Sequence, residues 1–287
     1  MAGSPGDSTA VIETALFGVI AIYLAAGVFA GLVSGLFGVG GGFTLVPALV
    51  IALTLQAMPG AYIMHLSIGT ALAVMVVTAC YTAWLRHRSG DLDMALIGRL
   101  LPFIVAGALA GSLIGDALPG NVLKAIFIGY VALTIVNGLI PRRSRPVPTP
   151  GGGSHARVRG VRLWGLGSVA GLIGGLLGSG PAIVVVPYLR GAAFPMTVAT
   201  ATSAALSAPI GIAAGIGYFY GGLDEPGLPA LTAGYLYLPA FAGLTIGALA
   251  GSPLGIRLSH RIPDAIQYRL FLAYLTLVLV VMLLTER

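Results

Sequence analysis

Residues 30–49 read AGLVSGLFGVGGGFTLVPAL, and residues 170–189 read AGLIGGLLGSGPAIVVVPYL. Ten of the twenty positions are identical: Ala30, Gly31, Leu32, Gly35, Leu36, Gly38, Gly40, Val46, Pro47 and Leu49 match the residues 140 positions later. The same offset relates GALAGSLIG at 107–115 to GALAGSPLG at 247–255, with seven of nine identical. Self-similarity on this scale in an apolar chain is the mark of a duplicated membrane fold, whose site tends to lie where the repeats meet.

Working outward, composition fixes the solvent. Apolar residues make up 57% of the 287-residue chain and charged residues 8%, with a mean hydropathy of +0.98. A soluble domain carries about 25% charged residues, so this chain lacks the groups to solvate a globular surface. Its 43 glycines suit helices that approach closely in lipid. The one cysteine, Cys80, lies in an apolar run and reads as a small core residue, and neither a disulfide framework nor a metal cluster is expected. The net charge of +6 arises in loops, so it reads as membrane orientation and not as nucleic-acid binding. The N-terminal stretch has no Lys or Arg ahead of its apolar run, so it reads as a retained first helix and not a cleaved signal.

Apolar runs and breakers predict an all-α integral membrane fold of about ten segments: 13–36, 43–56, 61–85, 94–116 and 120–140, then 163–178, 182–190, 196–220, 230–256 and 265–284. They group as a first repeat at 13–140 and a second at 163–284, joined by a basic Pro- and Gly-rich linker at 141–162. Arg142, Arg143, Arg145, Arg157, Arg159 and Arg162 place that linker in the cytoplasm by the positive-inside rule. The turns at Arg86-His87-Arg88, Arg190 and Arg257–Arg261 then fall on the same side, and Asp116, Asp224, Glu225 and both termini on the periplasmic side of a bacterial inner membrane. Equivalent turns carry opposite charge, and five segments per repeat is an odd number. Both facts predict that the second copy is inserted upside down.

Two segments, 43–56 and 182–190, fall short of the roughly 20 apolar residues that a spanning helix needs. Each follows a glycine break. This predicts two helical hairpins, entering from opposite faces and turning near mid-membrane, with two full spans as the alternative. A broken helix exposes backbone that must find partners. Where the next segment begins, its first N–H groups and positive dipole end favour an anion. The candidate substrate contacts are therefore Gly38, Gly40, Gly41, Gly42 and Phe43 at one break, and Gly178, Ser179, Gly180 and Pro181 at the other. Pro181 is expected in the first turn, where proline is tolerated. Tight glycine packing is the competing explanation.

Hydroxyls follow each hairpin, at Ser67-Ile68-Gly69-Thr70 and Thr200-Ala201-Thr202-Ser203. A membrane-helix hydroxyl often bonds its own preceding carbonyl. Occurrence at matching places singles out Thr70, Thr202 and Ser203 as ligand contacts. His65, a turn from Thr70, is a packing histidine or else a proton or anion partner.

The twin G-L-x-G-x-x-G-x-G segments ending in Val-Pro, each followed by a hydroxyl-rich helix start, resemble the TauE/SafE family of sulfite exporters and anion permeases, from about Gly27 to Leu284. The resemblance implies movement of sulfite, thiosulfate, sulfoacetate or related sulfur anions. Gly69-Thr70-Ala71 and Ala201-Thr202-Ser203 each miss part of the family's G-T-S pattern, so substrate detail does not carry over. Because the nine Asp and Glu residues sit near ends or in loops, a carboxylate proton relay or cation site at mid-depth is not expected. The reading is a secondary carrier exporting sulfite by alternating access, with no cofactor, no metal and no enzymatic residues. Its partners are a small anion and the bilayer, with a homodimer left open. An uptake permease for an organosulfonate or thiosulfate, an anion channel and a non-transporting membrane partner are the alternatives.

Overall fold

The computed structural model describes residues 5–38, 41–139, 161–192 and 194–285. Gly40 and nearly all of the predicted linker at 141–162 lie outside the described residues. Ten helices account for almost all of what is described: α1 (Pro5–Phe37), α2 (Gly42–Leu55), α3 (Gly60–Arg88), α4 (Met94–Ala117), α5 (Gly120–Leu139), α6 (Val161–Leu177), α7 (Ala182–Gly191), α8 (Met196–Gly221), α9 (Leu238–Arg261) and α10 (Asp264–Leu284). Seven of them, α1 (over Ile20–Phe37), α3, α4, α5, α8, α9 and α10, are long and apolar enough to cross a bilayer, whereas α2, α6 and α7 are shorter apolar helices. At about 1.5 Å per residue, the 14 residues of α2 and 10 of α7 cannot cover a hydrocarbon layer about 30 Å thick.

Two glycine seams organise the packing. Gly27, Gly31 and Gly35 of α1 face the backbone of Leu244, Ala248 and Ser252 in α9, while Gly247, Gly251 and Gly255 of α9 face α1 in return. Positions four apart meet positions four apart in rising order, so the helices run parallel with backbones in contact, as small-residue spacing permits. The second seam is built the same way. Gly107 and Gly111 of α4 meet Ser168 and Leu172 of α6, and Gly171 and Gly175 of α6 meet Ile104 and Ala108 of α4. Between the two pairs lie α3 and α8, which run antiparallel: Arg86 reaches Thr197 at one end, and Gly211 lies against Leu72 and Val76 further along.

One end of the bundle is basic and gathers the last turns of α3 and α9. There Asp91 in the α3–α4 turn lies 3.8 Å from Arg86 and 3.0 Å from His260. The other end is acidic, with Asp116 against the last turn of α8 and Glu225 accepting a 3.3 Å bond from Tyr62.

The structure corrects two expectations. The segment predicted at 230–256 begins only at Leu238, and a minimal antiparallel hairpin precedes it, β1 (Thr232–Ala233) with β2 (Leu236–Tyr237). Leu231 and Gly234 have φ of 64° and 56°, which a right-handed helix excludes. The apolar composition of the stretch serves burial instead: Tyr235 and Tyr237 pack inside the acidic end. Cys80, expected in the core, is exposed on α3.

Candidate functional site

The breaks between α1 and α2 and between α6 and α7 are built alike. α1 stops at Phe37 and α6 at Leu177, α2 starts at Gly42 and α7 at Ala182; each pair is 140 residues apart. Gly38 and Gly178, the first residues beyond each helix, have φ of +67° and +64°. That left-handed conformation is where glycine ends a helix without a Cβ penalty. Pro47 and Pro187 lie inside the following helices at matching positions. Pro181 is the residue just before α7 and not in its first turn; its own carbonyl accepts from Val184 and Val185.

The two breaks touch. Gly42 lies so close to the Gly178 carbonyl and the Ser179 Cα that a Cβ would collide with both. Gly38 is pressed in the same way against the Thr200 carbonyl of α8, and Gly178 rests on Ile68 of α3.

Carbonyls freed by the breaks are satisfied from distant helices. At the first break, Arg86 of α3 donates to the Gly35 carbonyl at 2.8 Å. Gln267 of α10 donates to the Leu36 carbonyl, and Ser203 of α8 to the Gly38 carbonyl at 2.9 Å. At the second, the Tyr218 hydroxyl donates to the Leu176 carbonyl at 3.0 Å. The negative ends of α1 and α6 are thus neutralised by buried donors.

The opposite is true of the helices that restart. Neither α2 nor α7 has a side chain capping its N-terminus. The first intrahelical bonds are made by Thr44 and Leu45 in α2 and by Val184 and Val185 in α7, so the N–H groups of Gly42, Phe43, Ala182 and Ile183 precede them. Ser34 and Ser179 at the breaks, together with Ser67 and Thr202, which adjoin in the chain Ile68 on Gly178 and Ser203 on Gly38, carry buried hydroxyl oxygens with no hydrogen-bond partner. Each residue is at most 1% exposed. A buried polar group left unpaired costs about 1–3 kcal/mol, so four together weigh substantially against this arrangement without a ligand. Acceptor ends filled and donor ends open give a net positive potential at the paired breaks.

This placement separates the sequence candidates. Gly38, Gly41, Gly42, Gly178, Ser179, Gly180 and Pro181 line the breaks, and Ser179 and Thr202 keep their hydroxyls unpartnered. Ser203 serves as a cap on Gly38. Thr70 accepts the Tyr237 N–H at 3.0 Å, toward the acidic end, so the Thr70 and Ser203 stretches are not in matching surroundings. The Phe43 ring packs against Phe127 and Tyr130 of α5, which leaves its backbone N–H as the group toward the break. Sequence reasoning passed over Ser34 and read Arg86 only as a marker of sidedness.

His65 lies apart from the breaks, beneath the acidic end. A carbonyl can only accept, so His65 Nε2 donates to the Leu118 carbonyl at 3.1 Å. The ring stacks on Tyr235 with centroids 5.0 Å apart, and Nδ1 is buried without a partner. It borders a cavity of about 590 Å³ whose lining includes Asp116, Glu225, Tyr62 and Tyr235. Burial, followed by the Glu225 and Asp116 carboxylates, pushes the Tyr235 phenol up to about 12. Among the described residues no group of three or more His, Cys, Asp or Glu is placed to hold a metal.

Comparison with known proteins places the chain among membrane transporters. The profile of the family described as "Sulfite exporter TauE/SafE" matches residues 23–283. A probable membrane transporter protein of Haemophilus influenzae is 28% identical over 269 residues, covering 94% of this chain and all of that protein. A probable membrane transporter protein of Methanocaldococcus jannaschii is 24% identical over 82% of this chain and 85% of its own length. No solved structure matches the chain. Multi-pass, apolar and matched over residues 23–283, the protein belongs to the TauE/SafE family of membrane transporters.

Proposed function

We propose that the protein is a secondary carrier of small sulfur oxyanions, with sulfite export as its principal activity, and that the anion binds between the paired helix breaks. The observation that carries this reading is the asymmetry of the breaks. Arg86, Gln267, Ser203 and Tyr218 fill the carbonyl ends, while the N-termini of α2 and α7 stay uncapped beside four unpartnered hydroxyls. Half-helix N-termini aimed at an anion near mid-membrane are a recurrent carrier device. Sulfite offers three oxygens for such donors.

Alternating access follows from an inverted repeat, residues 13–140 against residues 163–284. Support comes from the matched breaks, and from helix directions: α1 runs with α9, α4 with α6, and α3 against α8. The linker at 141–162 and the basic end then face the cytoplasm, and the termini the periplasm. The hairpins α1–α2 and α6–α7 enter from opposite faces, which the shortness of α2 and α7 supports. An anion leaving a negative interior gains about 2.3 kcal/mol per charge per 100 mV, enough to drive export without a coupling ion.

Flux of sulfite into liposomes holding the purified protein tests this. Saturable, potential-driven flux with counterflow is expected; flux that does not saturate would make it a channel, and none would remove the transport reading. One observation favours a second reading, proton-coupled uptake. His65 Nδ1 is buried, unpartnered and borders the cavity that Asp116 and Glu225 share. Flux that follows an imposed pH gradient in wild type, and loses that dependence in His65→Gln, would select it.

A further inference from the structure

We propose a second anion subsite, on the basic side of the breaks, formed by the Arg86 guanidinium and the Thr82 hydroxyl on one face of α3. The proposal rests on the carrier reading above and extends it to the route between the breaks and the basic end.

Thr82 and Arg86 are four residues apart and therefore neighbours on the helix surface. Both are fully buried. Arg86 Nη2 bonds the Gly35 carbonyl at 2.8 Å, and Nη1 lies 3.5 Å from the Thr197 carbonyl, but Nε has no partner. Its counter-charge is weakly engaged, because Asp91 stands 3.8 Å away while accepting a closer contact from His260 at 3.0 Å. Thr82 departs from the usual behaviour of a helical hydroxyl. Thr78, one turn earlier, bonds the Val74 carbonyl at 2.9 Å, whereas Thr82 Oγ1 is buried with no partner at all.

A fully buried guanidinium that is incompletely paired is expensive unless a further acceptor completes it. The free Nε–H and the Thr82 hydroxyl are donors, and an oxyanion supplies acceptors in the geometry that guanidinium edges bind best. Position along the route is fixed by neighbours. Arg86 lies in the last turn of α3 and touches Thr197 at the start of α8, both at the basic end, while Thr200, three residues further along α8, abuts Gly38 at the first break. Arg86 therefore sits about one turn, roughly 5 Å, to the basic side of that contact. An anion entering from the basic end meets this subsite first and the helix N-termini next, displacing Asp91 from Arg86 as it arrives.

The test is sulfite flux in membrane vesicles of both orientations, with the half-saturation concentration read separately for each face. Thr82→Val, which removes an unpaired hydroxyl without changing side-chain size, is expected to raise half-saturation at the basic face about tenfold, the equivalent of one charge-assisted hydrogen bond, and to leave the acidic face within about twofold. Arg86→Lys, keeping charge but losing the planar fork, should shift the same face in the same direction. An unchanged basic face in Thr82→Val, or equal shifts at both faces, would overturn the subsite; Thr82→Val keeps the question open to refutation even where Arg86→Lys fails to fold. Absence of flux in wild type is read before any variant is compared; it would refute the proposed function and take the subsite with it.

Discussion

Replacing Gly42 by alanine adds one carbon at the point where the two broken helices touch. A Cβ there lies 2.7 Å from the Ser179 Cα and collides with the Gly178 carbonyl. Neither neighbour is the end of a flexible side chain, so relief requires backbone to move. Carbon atoms prefer about 3.5–4.0 Å, so the tips must part by roughly 1 Å. Overpacking of this kind costs about 1–3 kcal/mol, of which alanine's advantage over glycine in a helix returns up to about 1 kcal/mol. The net loss, about 0–3 kcal/mol, is one that a protein of this size survives with a melting shift of only several degrees. Binding has no such margin. Parting the tips by about 1 Å breaks hydrogen bonds to an anion held by both, and two charge-assisted bonds at about 1.5–3 kcal/mol each amount to roughly a hundredfold loss or more in flux at low substrate. Sulfite flux and thermal stability should be measured together on liposome-grade protein, with Gly60→Ala as control, since no atom lies within 4 Å of a Cβ there. Wild-type flux in Gly42→Ala would refute the reasoning, because it would mean that the contact between the breaks does not shape the site.

Two serines at the same breaks should behave in opposite ways. Ser203→Ala strands the Gly38 carbonyl and should lower stability by about 1–3 kcal/mol, seen as a reduced melting temperature without ligand. Ser179→Ala removes a hydroxyl that has no partner; it should leave unliganded stability unchanged or higher and weaken the stabilisation that sulfite confers. At the acidic end, the Tyr235 phenol is raised from 10.0 to about 12 by burial and by nearby carboxylates. The folded state therefore favours the neutral phenol, so this contribution is complete below pH about 10 and is lost as pH rises toward about 12. Tyr235→Phe should flatten that alkaline loss in a stability–pH profile, and an unaltered profile would assign it elsewhere.

The breaks were legible in the sequence to within one residue, because the same glycines recur 140 positions apart and a left-handed glycine commonly ends a helix. Short apolar runs after each break likewise announced α2 and α7. What escaped was the identity of the groups that complete the breaks. Gln267 caps a carbonyl 231 residues away in sequence, and Arg86 one 51 residues away. Neither spacing has a local signature, and an arginine near a helix end looks the same whether it marks a membrane face or lies buried. Thr70 and Ser203 were singled out for type and position, yet their partners, the Tyr237 amide and the Gly38 carbonyl, are set by tertiary packing. The stretch before α9 was misjudged for a different reason. It is apolar enough for a helix, but its burial is achieved by the hairpin around Tyr235, with left-handed backbone at Leu231 and Gly234.

The glycine seam between α1 and α9 also bears on how the protein is made. Gly27, Gly31 and Gly35 find their mates only in Leu244, Ala248 and Ser252, which the ribosome supplies more than two hundred residues later. The α4–α6 seam, by contrast, can close soon after synthesis passes the middle of the chain. The first helix must wait in the bilayer with its notched face open until the ninth arrives, so the last stage of assembly threads the oldest segment against one of the newest. Two halves produced as separate polypeptides would each carry one strip of both seams, and are expected to assemble with one another in the membrane, each being incomplete alone.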